Sequence, residues 1–214
     1  MSFLVEFMRN PLTVGAVQAS GSALAEVATA TVPATGSPVV LELGPGTGAF
    51  TAPVQRRLAG SGRHIAIELN PRFAAKLAML HPAVDVVTGN AAALRGVLAQ
   101  RGVDSVDVVI SGLPWAAFDR KLQQDVLSEV VAVMHPAGVF TTFAYVHARW
   151  APPARRLLRS LQDRFEEVVV SRTVWKNLPP ALVYFCRRPV PVTTEERRDS
   201  AVAASGSADG QTFH

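Results

Sequence analysis

Apolar residues recur along this chain with two different periods. Short β-branched runs at Val39–Leu43, His64–Glu68, Val84–Thr88, Val106–Ser111, Val139–Tyr145, Glu166–Val174 and Leu182–Cys186 predict seven strands. Between the first five, stretches with one apolar face near Thr51–Leu58, Arg72–Leu80, Ala92–Gln100 and Arg120–Met134 predict helices. A further helix, Ala154–Arg164, precedes the sixth strand. Strand–helix alternation of this kind calls for a parallel sheet covered on both faces. Only Trp175 to Ala181 separate the last two strands, too little for a helical crossover, so those two should pair antiparallel. The expectation is an α/β domain with a seven-stranded, mostly parallel sheet ending in an antiparallel hairpin.

The two ends of the chain read differently. Phe3, Leu4, Phe7 and Met8 would share one helical face before Asn10-Pro11 breaks the helix. Such a helix either packs over the ligand cleft as a lid or lies in a membrane interface. Residues 1–32 are therefore expected as an N-terminal helical segment, joined through Pro33 to Pro38 to a domain spanning 33–188. Residues 189–214, rich in Pro, Ser, Ala and charge, read as a disordered tail.

The first strand carries the most chemistry. It runs through Glu42 into Gly44-Pro45-Gly46-Thr47-Gly48, and a helix follows. Glycine lets backbone approach a ligand without a Cβ between them, and the helix start offers unpaired N–H groups. The second strand ends in Glu68, where a carboxylate can accept hydrogen bonds from both hydroxyls of a ribose. A nucleoside-containing cofactor across the ends of these strands is expected. A dinucleotide turn is spaced G-x-G-x-x-G; here it is G-x-G-x-G, and Glu42 would repel a pyrophosphate but suits a cationic amino-acid end. This E-x-G-x-G-x-G run resembles the cofactor motif of class I S-adenosylmethionine-dependent methyltransferases. That resemblance implies a Rossmann-like fold and S-adenosylmethionine as cofactor.

The fourth strand ends in Ser111-Gly112-Leu113-Pro114-Trp115. In amine-methylating members of the class this strand end faces the methyl group, commonly as N/D-P-P-Y or N-L-P-Y. Gly112 has no side chain to hold a nucleobase amine, while Trp115 keeps an aromatic ring able to stack on a base or hold an ammonium. A buried tryptophan in a Gly-Leu-Pro turn is the plainer alternative. With Asn10-Pro11-Leu12-Thr13-Val14-Gly15-Ala16-Val17 and Asn177-Leu178-Pro179-Pro180-Ala181-Leu182-Val183-Tyr184, this strand end resembles the bacterial phospholipid N-methyltransferases, relatives of the rRNA adenine dimethyltransferases. The resemblance runs from about Phe3 to Arg188.

The family resemblance implies stepwise methyl transfer to the amine of an aminophospholipid such as phosphatidylethanolamine, some relatives acting on ornithine lipids. It places Glu42, Gly44, Gly46, Gly48, Glu68, Leu69, Asn90, Ala91 and Ser111 at the cofactor. Gly112, Leu113, Pro114, Trp115 and Tyr184 fall at the transfer site. Tyr145 and His147 are further candidates to line a headgroup pocket, and Arg149, Arg155, Arg156 and Lys176 to meet a lipid phosphate. Two positions depart from the family pattern. Gln18-Ala19-Ser20-Gly21-Ser22 replaces a Pro-Ser-Ser run, and Asn90 stands where an Asp commonly meets the adenine amine. Asn can still accept that bond through its carbonyl oxygen, with Ala91 offering its backbone N–H to the ring.

Composition narrows the partners. The net charge of +4 combines a tail of −2, residues 189–214, with +6 on residues 1–188, which favours an anionic partner such as an acidic lipid surface. Cys186 is the only cysteine, so an intrachain disulfide is excluded and a reducing compartment is the default. The five histidines show no metal-ligand spacing, and no metal is expected. No apolar run reaches membrane-spanning length, and Phe3 to Met8 is too short for a signal-peptide core. The expected location is cytoplasmic, peripheral at the inner membrane face. An rRNA adenine N-methyltransferase would need a polar residue at Gly112 and an added helical domain, so nucleic acid is not the expected partner. A small-molecule N- or O-methyltransferase, and a cofactor-binding protein without catalysis, stand as the other readings.

Overall fold

The β-branched residues of Val39–Leu43 (β1) lie in the middle of a seven-stranded sheet, and their alternation sorts the two layers that cover it. The protein is described here from a computed structural model, over residues 21–190. Its elements run α1 (Ser22–Ala28), β1, α2 (Thr51–Leu58), β2 (Arg63–Glu68), α3 (Pro71–Leu80), β3 (Asp85–Thr88), α4 (Leu94–Ala99), β4 (Val106–Ser111), α5 (Arg120–Val133), β5 (Met134–Tyr145), α6 (Pro152–Arg164), β6 (Phe165–Val170) and β7 (Ala181–Pro189). The strand order is β3-β2-β1-β4-β5-β7-β6. Pairs from β3 through β5 are parallel. β7 runs antiparallel to both β5 and β6, as the short connection before it requires.

Leu41 and Leu43 point to one face, packing with Ile65, Ile67, Leu98, Phe140 and Leu161 under α4, α5 and α6. Val40 points to the other, where Leu24, Ala25 and Ala28 of α1 and Val54 and Leu58 of α2 cover Val108, Ile110 and Val183. Ala66 of β2 packs there too, against Leu77 of α3. Strands buried on both faces read as near-continuous apolar runs, which is why they stand out in this sequence. Glu42 and His64 are buried within these runs nonetheless, as are Glu68 and Ser111 at the strand ends.

Several boundaries differ from the expectation. β5 begins at Met134, five residues early, because Met134 pairs with Val106 before a register shift brings Val139 opposite Val108. β6 ends at Val170 and not Val174: Ser171 breaks the run, its Oγ accepting from Val183 N–H at 2.9 Å, and only an isolated Val174–Ala181 bridge follows. A 3₁₀ turn, Ala91–Ala93, takes up the start of the helix expected from Ala92. β7 continues to Pro189, paired with Phe165, so the segment expected as tail begins inside the sheet. Within the expected N-terminal segment, α1 is sheet cover: Leu24, Ala25, Ala28 and Val32 are all buried. The helix expected at Phe3–Met8, the Asn10-Pro11 and Gln18–Ser20 positions, and the tail from 191 on lie outside the described residues.

Candidate active site

Three loops leave the carboxyl ends of β1, β2 and β4 side by side, and hydrogen bonds between them fix the first loop. Gly44 N–H bonds the Ile67 carbonyl at 2.9 Å, and Gly112 N–H bonds the Leu43 carbonyl at 2.8 Å. Gly44, Gly46 and Gly48 all have positive φ. Gly46 is the informative one, since a Cβ there would meet nothing within 4 Å: its backbone borders open space. That leaves a bare, concave turn for a ligand.

Two acids flank this turn. Glu42 is fully buried; its Oε2 accepts from Thr51 Oγ1 at 2.8 Å and lies 3.1 Å from His64 Nε2. His64 Nδ1 meets Gln55 Nε2 at 2.9 Å, which orients the ring. Glu42 Oε1 is buried with no hydrogen-bond partner among the described residues. A buried carboxylate oxygen left unpaired is costly unless a donor comes to it, and the ammonium of an amino-acid cofactor is such a donor. Glu68 is also buried, its Oε2 accepting from Gly46 N–H at 3.0 Å and its Oε1 from Asn70 N–H at 2.9 Å. Each of its oxygens keeps a lone pair for a ribose hydroxyl. The turn, Glu42 and Glu68 therefore fit an adenosyl amino acid.

Beyond Glu68, Leu69 is exposed, an apolar surface for a flat ring at the end of β2. Asn90 is exposed too, but its Oδ1 already accepts from Ala92 N–H at 2.9 Å as the cap of the 3₁₀ turn that begins at Ala91. One lone pair remains for an adenine amine.

The end of β4 turns inward. Trp115 is 2% exposed, and its indole N–H donates to Ser111 Oγ at 3.0 Å. Its ring packs 5.5 Å from Phe118 and edge-on to Phe140 at 6.1 Å. Ser111 Oγ also accepts from Leu113 N–H at 3.3 Å, so Ser111 shapes the turn and its side chain is buried. Trp115 thus stands in the core, the plainer of its two sequence readings, while Leu113 lies partly exposed and lines Gly44. Pro114 opens a single 3₁₀ turn, Trp115–Ala117. Gly112 has a structural reason: a Cβ there would lie 2.7 Å from the Gly44 carbonyl oxygen. The polar residue other amine methylases place here has no room in this turn.

Tyr184 is 4% exposed, in the middle of β7, and burial pushes its phenol up from the ordinary value, with Arg149 opposing. The phenol therefore stays protonated at neutral pH and is no general base. Tyr145, partly buried, stacks on His147 at 5.8 Å at the end of β5, and burial raises its phenol as well. Arg156 is tied inward, to the Phe118 carbonyl at 2.8 Å and to Gln123 Oε1 at 3.3 Å. Arg149, Arg155 and Lys176 remain exposed.

The comparisons agree with this geometry. A family model described as a methyltransferase domain matches residues 40–138. An ornithine lipid N-methyltransferase from Singulisphaera acidiphila is 33% identical over 191 residues, covering 86% of this chain and 94% of the relative. The chain belongs to the class I S-adenosylmethionine-dependent methyltransferases. Its sheet matches that of human methyltransferase-like protein 13 in complex with SAH, with a TM-score of 0.56, 18% identity, and 90% and 91% of the two chains covered. An O-methyltransferase from Thermotoga maritima matches with a TM-score of 0.61 at 14% identity, over 90% and 74%. The cofactor of this methyltransferase is S-adenosylmethionine.

In this methyltransferase the sequence reading missed the support beneath Glu42. Thr51, Gln55 and His64 form it, and the signal was available: a histidine, one position out of phase with Ile65 and Ile67, on the same face as Glu42 of the neighbouring strand. It also missed Asn177 as a framework residue. Asn177 is buried, its Oδ1 accepting from Gly21 N–H at 2.7 Å and its Nδ2 donating to the Pro179 carbonyl at 2.7 Å.

Proposed function

We propose that this enzyme methylates the amine of a membrane-lipid headgroup, phosphatidylethanolamine or an ornithine lipid, while seated peripherally at the inner membrane face. The observation that carries the reading is the 33% identity to an ornithine lipid N-methyltransferase across nearly the full length of both chains. Gly112 supports it, because a turn with no room for a polar side chain has nothing to grip a nucleobase edge. When bound, S-adenosylmethionine supplies an activated methyl, so the chain has mainly to position a neutral amine. In this scheme Glu42 and Glu68 hold the cofactor's two polar ends, with Leu69, Asn90 and Ala91 beside the adenine. Gly112, Leu113 and Pro114 form the floor under the amine, stiffened by Ser111 and Trp115. Tyr145 and His147 line the headgroup path, Tyr184 backs the opposite face of the sheet, and Arg149, Arg155 and Lys176 stand ready for a lipid phosphate. Among the described residues no helix is long and apolar enough to cross a membrane, which suits peripheral seating.

The deciding experiment incubates the protein with methyl-labelled S-adenosylmethionine and phosphatidylcholine–phosphatidylglycerol vesicles with or without an amine lipid, phosphatidylethanolamine or ornithine lipid. Ribosomal RNA is tested in parallel. Label in the lipid extract that depends on the amine lipid is the expected result. Label in RNA, or in neither while cofactor still binds, would overturn the reading.

A further inference from the structure

Single exposed apolar side chains are ordinary on a protein surface, but a cluster of large ones marks a contact. Trp150, Trp175 and Leu178 are 71%, 74% and 78% exposed. They belong to two neighbouring loops. One leaves β5 at Tyr145 through the 3₁₀ turn Val146–Ala148; the other enters β7 at Ala181, and Tyr145 pairs with Ala181. Val146 N–H bonds the Pro180 carbonyl at 2.8 Å, and Val174 bridges to Ala181. Because β5 is parallel to β4 and β4 to β1, both loops emerge at the sheet edge that carries Gly44–Gly48.

The second loop is held in shape. Asn177, between Trp175 and Leu178, is buried and spends its amide on Gly21 and Pro179, so its exposed neighbours stand on a satisfied frame. The charge around them has one sign. Residues 145–162 and 171–188 contain no Asp or Glu, and Arg149, Arg155, Arg172 and Lys176 are exposed. The Arg149 guanidinium lies 4.3 Å from the centroid of the Trp150 ring.

We propose that these two loops seat the enzyme on an anionic lipid bilayer, with Trp150, Trp175 and Leu178 entering the boundary between headgroups and acyl chains. Tryptophan prefers that boundary. Arginine and lysine beside it lie where lipid phosphates are, and an anionic leaflet attracts them. Leu178 decides against RNA, which is gripped by aromatic rings and cations in a groove and gives an exposed leucine nothing to do. The seating turns the cofactor edge of the sheet toward the membrane, so an amine headgroup can reach the glycine turn while its acyl chains stay in lipid. The purpose of the surface rests on the lipid-amine reading above, but its test does not.

The test uses vesicles without any amine headgroup, phosphatidylcholine with or without phosphatidylglycerol, and the full chain. Wild type should float with the anionic vesicles, and Trp150→Ser/Trp175→Ser/Leu178→Ser should bind them roughly tenfold or more weakly while keeping its affinity for S-adenosylmethionine. In a Trp150→Phe variant, where Trp175 is the remaining exposed indole, emission should shift to the blue on adding vesicles and be quenched by brominated lipid. Unchanged vesicle binding by the triple variant, no spectral change, or capture of an RNA homopolymer in place of vesicles would overturn the proposal. Failure of wild type to methylate an amine lipid would refute the lipid-amine reading and leave vesicle binding to be judged by itself.

Discussion

At the β1–β2 end of the sheet edge, among the described residues, Glu42 keeps one buried carboxylate oxygen unpartnered and Glu68 bonds only two backbone N–H groups. At the β4–β5 end the polar groups are spent on one another. Trp115 donates to Ser111, the Gln123 side chain accepts from Arg156, and Arg156 reaches back to the Phe118 carbonyl. The first region leaves acceptor capacity uncommitted beside a turn that borders open space. The second uses its polar side chains to hold the Ser111–Trp115 turn and the helices behind it.

The contrast breaks most sharply at two glycines. Gly112→Ala puts a Cβ 2.7 Å from the Gly44 carbonyl oxygen, backbone against backbone, so it should destabilise the protein by about 1–3 kcal/mol or more and remove cofactor binding with it. Gly46→Ala has space around it and should cost only the positive-φ strain, about 1–2 kcal/mol, yet weaken cofactor binding by intruding on the cleft. Paired thermal melts and calorimetric titrations separate the two; a stability loss for Gly46→Ala well above about 2 kcal/mol would mean that the turn does not border open space as described. Next in size is Glu68→Ala. It removes a charged acceptor from the ribose and from Gly46 N–H, and affinity for S-adenosylmethionine should fall about tenfold or more. An unchanged titration would take Glu68 out of the cofactor site.

A smaller effect probes the other region. Trp115→Phe keeps one ring in the core but leaves a void where the second stood and takes the indole N–H from Ser111 Oγ, so unfolding stability should drop by about 1–2 kcal/mol with KM for the amine unchanged. A raised KM at unchanged stability would return Trp115 to the substrate. The smallest effect concerns pH. Burial pushes the Cys186 thiol from its ordinary 9.0 up to about 12. The unfolded chain therefore loses that proton first, and the stability contributed is complete below pH 9.0 and is lost as pH rises towards about 12. Tyr184, shifted the same way, adds to it. Urea unfolding of wild type and Cys186→Ala across this window should show the steeper fall in wild type; parallel curves would refute the assignment.

The fold was legible because both faces of the central strands are covered, so β1, β2 and β4 are mostly apolar despite Glu42, His64 and Asp107, and their ends fall at Leu43, Glu68 and Ser111 as the pattern predicts. Legibility failed where a polar residue keeps its place in a strand or leaves it for a local bond. Met134 through Gly138 join β5 despite Pro136, while Ser171 ends β6 by bonding Val183. In the site, Glu42 and Glu68 were readable from spacing to the glycines. The burial of Trp115 and Tyr184 was not, since an aromatic residue just past a strand end, or within a strand, gives the same sequence signal whether its ring faces a substrate or, as with Trp115, Phe140.

The sheet order has a bearing on how the enzyme comes into being during synthesis. β7 is the last of the described strands to be made, yet it lies between β5 and β6, and β6 has no other neighbour among the described residues. Its Ala181 and Val183 also help to cover α1, made among the first of the described residues. A nascent chain can thus complete the β3-β2-β1-β4-β5 array, glycine turn included, while β6 and one side of α1 still wait for their partner. Emergence of β7 then joins β6 to that array and covers the open side of α1.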